Sequence, residues 1–392
     1  MEFNDIKAAD SKHIMNTYAR FDSCIVSGEG ATLTDINGKT LIDLTSGIGV
    51  NSLGYGDEGW VNAVSAQVAK LAHISNLYYT LPNVELATLL CEKTGYDKVF
   101  FANSGAEANE GAIKLARKYS YDKYGKGRST IITLKNSFHG RTITTLTATG
   151  QEQFHDFFFP FTEGFKYVAA NDLSDLNEQL DETVCAIIVE FVQGEGGVCN
   201  IDKDYVNIVT KLCKERDILL VADEVQTGIG RTGKLLCSEH YGVMPDVTTL
   251  AKGLGGGLPI GAVLATQKVS AVLSYGQHGT TFGGNPIACA GACEVIKRVS
   301  QPEFLQEVNE KSEHIKQKLA KVSEIEDISG QGLMLGLTLK TKSASEVAKK
   351  CVDAGVLVLT AKAKVRLLPP LNISWDELDK GLELLIGVLS NA

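Results

Sequence analysis

Lys252 follows the apolar run Val247 to Ala251 and precedes Gly253-Leu254-Gly255-Gly256-Gly257. An amine so placed stands at a strand end with little side-chain bulk around it, where a carbonyl compound can reach it and form an imine. Alone, such a lysine reads as a solvated loop residue. Asp223 shifts that balance, because it closes the fully apolar run Ile218 to Ala222. A carboxylate drawn into an apolar layer needs a cationic or donor partner to offset its burial. A protonated ring nitrogen is such a partner: held cationic by the aspartate, the ring becomes an electron sink for a carbanion left by proton loss. The plainer alternative is that Asp223 caps a turn.

Two further strings can serve a phosphorylated, planar ligand. Asn103-Ser104-Gly105-Ala106-Glu107-Ala108-Asn109 lies between a predicted strand and a predicted helix with the stripe Ala112, Leu115, Ala116 and Tyr119. Backbone N–H groups at a helix N-terminus favour a phosphate, although such a string alone is more often an ordinary cap. Phe138-His139-Gly140-Arg141 offers an aromatic ring to stack on a planar ligand and a guanidinium to fork onto a carboxylate. Singly, a Phe here is more often core and an Arg more often surface.

The elements that must position these residues are legible as a pattern. From about residue 98 to 262 the chain repeats a short apolar run, a polar or Gly-rich loop, and a helical stretch, which is the signature of a parallel α/β sheet. The runs are Val99 to Ala102, Thr130 to Leu134, Val184 to Val189, Ile218 to Ala222 and Val247 to Ala251. Ligands collect at the carboxyl ends of such strands. Those ends carry Asn103 and Ser104, Phe138 to Arg141, Glu190, Asp223 and Lys252. After about residue 300 comes an amphipathic helix with Phe304, Val308, Ile315 and Leu319 on one stripe, then short strands and helices. The last helix opens on a capping box, Ser374 with Glu377, and carries Leu378, Leu382, Leu385 and Leu389. Ala31 to Ile36 and Lys39 to Leu44 flank Asn37-Gly38 as a hairpin does. The expected organisation is an N-terminal segment 1–50 joining a small α+β domain 301–392, with a large ligand-binding domain 51–300 between them.

Composition narrows the function classes. Asp and Glu total 47 against 38 Lys and Arg, a formal charge of -9, so the mean field repels nucleic acid and anionic lipid and favours a small-molecule partner. No apolar run reaches the length of a membrane span, and the first twenty residues lack the apolar stretch of a signal peptide, so a cytoplasmic protein is expected. Nine dispersed cysteines without a C-x-x-C pair argue against a disulfide framework. Cys289 and Cys293 lack a nearby histidine to complete a zinc site, and no metal is expected. The glycines after Lys252 hint at a nicotinamide site. That reading fails on spacing, since Leu258 and Ile260 fall where the last glycine of G-x-G-x-x-G is required.

Taken together, these strings resemble the class III, fold type I aminotransferases over nearly the whole length. The matching residues are Gly28-Glu29-Gly30, Asn103 to Glu110, Phe138 to Thr142, Glu190 with Gln193 to Gly197, Asp223 to Gly228, Lys252-Gly253, Thr280 to Pro286 and Arg366 to Leu371. Within the family, Phe138 to Thr142 and Thr147 to Gly150 are most similar to the acetylornithine branch, with His139 where the ornithine enzymes usually carry Trp. The resemblance implies a large domain with a mostly parallel sheet plus a smaller α+β domain, and pyridoxal 5'-phosphate as cofactor. Lys252 would be its Schiff-base lysine and proton shuttle, and Asp223 the partner of its ring nitrogen. Val225 and Phe138 would sandwich the ring and Gln226 would bond its phenolic oxygen. Ser104, Gly105 and Ala106 would hold the phosphate, which Thr281 would reach from a neighbouring subunit, implying a homodimer with shared active sites. The family commonly has Thr at the position of Ala106 and Pro at that of Phe191, so a hydroxyl contact to phosphate is absent here. The implied reaction moves the δ-amino group of N-acetylornithine to 2-oxoglutarate, a step of arginine biosynthesis, with Arg141 and Arg366 binding carboxylates and Glu190 pairing Arg366. Ornithine or succinylornithine as donor, and an aminomutase on the same scaffold, stay open.

Overall fold

Asp35 Oδ1 accepts the N–H groups of Asn37 and Lys39 at 2.9 and 2.8 Å, and Gly38 takes φ +81°, so the chain reverses there without strain. The result is an antiparallel set, β1 (Ile25–Glu29), β2 (Thr32–Asp35) and β3 (Thr40–Asp43). The computed structural model describes residues 2–390.

The apolar runs then become β4 (Lys98–Ala102), β5 (Thr130–Leu134), β6 (Phe165–Val168) and β7 (Val184–Val189). A short hairpin, β8 (Val192–Gln193) and β9 (Cys199–Asn200), precedes β10 (Leu219–Asp223), β11 (Val247–Leu250) and β12 (Gly261–Ala265). Apart from that hairpin, these strands form one seven-stranded sheet in the order β4-β12-β11-β10-β7-β5-β6. Every residue of β7, β10, β11 and β12 is buried, as strands covered on both faces require. Two strands were not among the predicted runs. β6 carries a lysine within Phe-Lys-Tyr-Val and lies at a half-exposed edge. β12 runs antiparallel to both β11 and β4, so the sheet is mostly, not wholly, parallel.

The C-terminal sheet contains β13 (Ile325–Gln331), β14 (Met334–Leu339), β16 (Leu359–Ala361) and β17 (Lys364–Leu367), in the order β13-β14-β17-β16. Gly330 and Gly332, at φ +100° and +57°, turn the chain between β13 and β14. The short β15 (Val356–Leu357) pairs parallel with β3 and so joins the N-terminal hairpin to the C-terminal part of the chain. The helix Pro302–Leu319 buries Val308, Ile315 and Leu319. In the last helix Ser374 Oγ and Glu377 exchange the two bonds of a capping box, and all four predicted leucines are buried. Among the described residues no helix is long and apolar enough to cross a membrane, and every cysteine is a free thiol.

Candidate active site

Asp223 ends β10, and the sheet delivers it nine-tenths buried to one end of a cavity of about 460 Å³. Its Oδ2 accepts Asn109 Nδ2 and His139 Nδ1, each at 2.7 Å, and its Oδ1 accepts the Val225 N–H at 3.0 Å. Asn109 itself is locked by Thr249 Oγ1, which donates to its Oδ1, and its amide donates to the His139 carbonyl. The carboxylate is therefore fixed in direction before any ligand arrives. His139 is fully enclosed. Burial works against its charged form, yet the bond and charge of Asp223, with Glu190 adding, raise its pKa above the ordinary value. Neither Asn109 nor His139 was singled out as a site residue from the sequence, although both lie inside the strings that were. A polar residue at the first inward turn of an alanine-rich helix was the available signal.

Lys252 lies just beyond β11 with φ +42°, a left-handed backbone that places a non-glycine residue under strain. It is the one lysine lining the cavity, and its Nζ has no hydrogen bond or ion pair with any described residue. Burial lowers its pKa, Arg366 adds to that, and the nearby carboxylates only partly oppose it. Gly105 and Ala106, which open the helix Gly105–Tyr124, also line the cavity and their N–H groups have no partner among the described residues, while Ser104 Oγ caps that helix through the Glu107 N–H. Phe138, Val225, Gln226, Arg141 and Glu190 complete the predicted residues that line the same space. Thr281 is exposed and borders a different hollow beside Tyr78 and Tyr79, away from this chain's own cavity.

One expected pairing is corrected. Arg366, nearly fully buried on β17, donates from Nη1 to Glu195 Oε1 at 2.8 Å and Gln226 Oε1 at 3.1 Å, and not to Glu190. Glu190 is pinned beneath the Phe138 N–H at 3.0 Å, and burial, with the charge of Asp223, pushes its carboxyl up to about 8. Glu195 is brought in by the turn after β8, where Gly194 packs so closely that a Cβ would stand 2.1 Å from Gln226 Oε1. Burial raises the Glu195 pKa, but the charge and hydrogen bond of Arg366 outweigh it and leave the carboxylate below its ordinary range.

The neighbouring Glu224 is also buried and accepts the N–H groups of Cys237 and Ser238. Burial outweighs those bonds and pushes its carboxyl up to about 7. The folded state thus holds a proton that the unfolded chain releases above its ordinary pKa of about 4.3. Stability should fall as pH rises from about 4.5 to 7 and level off above that. Glu224→Gln should flatten this part of a Tm-against-pH curve. An unchanged slope would show that Glu224 does not carry the proton.

A buried carboxylate lining the cavity, a lysine amine of lowered pKa and unpartnered N–H groups at a helix start are the donor set for a pyridine ring, an aldehyde and a phosphate. The profile of the family described as "Aminotransferase class-III" matches residues 14–389. The chain belongs to the class-III aminotransferases. It is a pyridoxal-phosphate-dependent enzyme of fold type I, acting on amino acids and 2-oxo acids. This aminotransferase is 52% identical, over the full length of both chains, to the acetylornithine aminotransferase of Haemophilus ducreyi. It is 43% identical to the succinylornithine transaminase of Citrobacter koseri, over 94% of this chain and 93% of that one. Among solved structures, the ornithine aminotransferase of Toxoplasma gondii superposes with a TM-score of 0.94 at 32% identity, covering 99% of this chain and 95% of the other.

Proposed function

We propose that this aminotransferase moves the δ-amino group of N-acetylornithine to 2-oxoglutarate, giving N-acetylglutamate 5-semialdehyde and glutamate. The observation that carries the reading is the contrast between two arginines. Arg141 stands exposed at the cavity with no carboxylate partner, whereas Arg366 is buried and already neutralised by Glu195. N-acetylornithine brings one carboxylate and glutamate brings two, and this pair of arginines suits both. Arg141 takes the carboxylate remote from the reacting amine in either substrate. Arg366 takes the α-carboxylate of glutamate or 2-oxoglutarate when Glu195 swings aside, and stays paired with Glu195 while N-acetylornithine reacts, so no bare charge is left in a dry site. The name of the relative at 52% identity agrees with this donor.

Pyridoxal phosphate, when bound, supplies a carbonyl for amine exchange and a ring that delocalises the charge left by proton loss. The residues of this chain do the rest. Asp223, held by His139 and Asn109, keeps the ring nitrogen protonated. Lys252 Nζ, of lowered pKa, anchors the cofactor and moves the substrate proton. Phe138 and Val225 would flank the ring, Gln226 would bond its phenolic oxygen, and Ser104, Gly105 and Ala106 would hold the phosphate; all six line the one cavity. Thr281 reaches the phosphate of a second copy, so the working unit is a homodimer with shared sites. The segment 1–50 works with 301–392 as the part that carries Arg366, and 51–300 as the part that carries the cofactor.

Stopped-flow half-reactions test the assignment. Arg366→Ala should impair the 2-oxoglutarate half-reaction by about two orders of magnitude more than the N-acetylornithine one, while Arg141→Ala impairs both. Equal losses for Arg366→Ala would refute the switch. The same assay with ornithine and succinylornithine ranks the donors, and turnover without any 2-oxo acid would point to an aminomutase.

A further inference from the structure

Arg141 makes no hydrogen bond or ion pair with any described residue, yet it is not loose. Its guanidinium carbon lies 4.0 Å from the ring centroid of Phe154 and 5.4 Å from that of Phe138. The two rings meet edge to face, with centroids 6.1 Å apart and planes at 77°. Phe138 already has a place in the site. Phe154 does not border the cavity and touches the site through Arg141 and Phe138.

We propose that Phe154 is a positioning residue that holds Arg141 ready for the carboxylate of either substrate. The proposal rests on the reading of Arg141 given above. A guanidinium stacked on a ring is held by its flat face, and its N–H groups all point outward along its edge, which is where a carboxylate forks. Stacking and carboxylate binding therefore do not compete. A free arginine would lose the freedom of several rotatable bonds on binding substrate, and the stack removes much of that cost beforehand.

The ring is itself anchored. Phe154 ends the short turn Glu152–Phe154, and the preceding Gln151 is buried and donates from Nε2 to the Ser137 carbonyl at 2.9 Å. The Gly150 N–H bonds Ser137 Oγ at 3.0 Å, and the Asn136 N–H bonds the Gly150 carbonyl at 2.7 Å. Ser137 immediately precedes Phe138, so both rings are referred to the same point of the backbone. The sequence 150–154 thus builds a clamp around a guanidinium that has no counter-ion of its own.

The test is a double-mutant cycle on the dimeric holoenzyme. Phe154→Leu should raise KM for both N-acetylornithine and glutamate about 3- to 10-fold, with the loss falling on KM rather than kcat, because Arg141 binds far from the reacting atoms. The inhibition constant of glutarate, a dicarboxylate that cannot react, should rise by the same factor. Phe154→Tyr and Phe154→Trp should stay close to wild type, since either ring can carry the stack. In an Arg141→Ala background, Phe154→Leu should add almost nothing. Wild-type constants for Phe154→Leu, or an equal further loss in the Arg141→Ala background, would overturn the proposal and leave the reading of Arg141 standing. Unimpaired binding by Arg141→Ala alone would overturn both.

Discussion

Lys252→Ala should lose turnover by roughly three orders of magnitude or more, because on the proposed assignment one substitution removes both the covalent anchor and the group that carries the substrate proton. No other lysine lines the cavity, so nothing nearby can substitute. Binding of the cofactor should persist, since Asp223 and the N–H groups of Gly105 and Ala106 are untouched. Borohydride reduction separates the two effects. Reduction of the wild type should fix the cofactor to the peptide containing Lys252, and reduction of the variant should fix it to none. A label on another lysine would reject the assignment.

Asp223→Asn is the second large effect. An ion pair about 4 Å long in a partly buried site is worth on the order of 4 kcal/mol. Turnover should therefore drop by about two to three orders of magnitude with the fold intact. Hydrogen-bonding sharpens the expectation. Asp223 Oδ2 accepts from both Asn109 and His139, and an amide can present only one oxygen. With its oxygen in the place of Oδ2 the amide sets its NH₂ against the Val225 N–H, and turned the other way it sets it against the Asn109 and His139 donors, so the variant forfeits a bond as well as a charge. Asp223→Asn should also lower the His139 pKa, whose rise depends on Asp223, and the imidazole resonances in NMR report this directly. A folded variant with near-wild-type rates would exclude a charge role for Asp223.

The parts of this molecule that could be read from its sequence are those in which local pattern and tertiary environment agree. The runs that became β7, β10 and β11 are apolar throughout because both faces are covered, and their polar end residues had no other place to go than the sheet's edge. β6 was missed because an edge strand tolerates Lys166, which breaks the apolar run. β12 was missed because it follows a glycine-rich loop directly and runs against the prevailing direction. Lys252, Asp223, Phe138 and Arg141 come together as the strings implied. The partner of Arg366 was not legible. Glu190 and Glu195 both stand near the end of β7, and only the turn after β8 and the anchoring of Glu190 by the Phe138 amide decide between them. His139 bonding Asp223 across 84 residues is likewise a product of the sheet order, which no local window contains.

The pairing of β3 with β15 has a consequence for how the polypeptide is made. The hairpin leaves the ribosome long before its partner strand β15 has been made. Glu377, which accepts the Ala31 N–H across 346 residues, is later still. Until the last helix is made, Ile42, buried in the finished protein against Gly381, lacks part of its cover. The seven-stranded sheet can assemble while synthesis continues, since its strands are contiguous from 98 to 265. The pairing of β3 waits until β15 has been made, when a loop of several hundred residues is drawn shut. The nascent chain therefore carries an apolar hairpin with an open edge for nearly its whole elongation, a natural client surface for a chaperone that works at the tunnel exit.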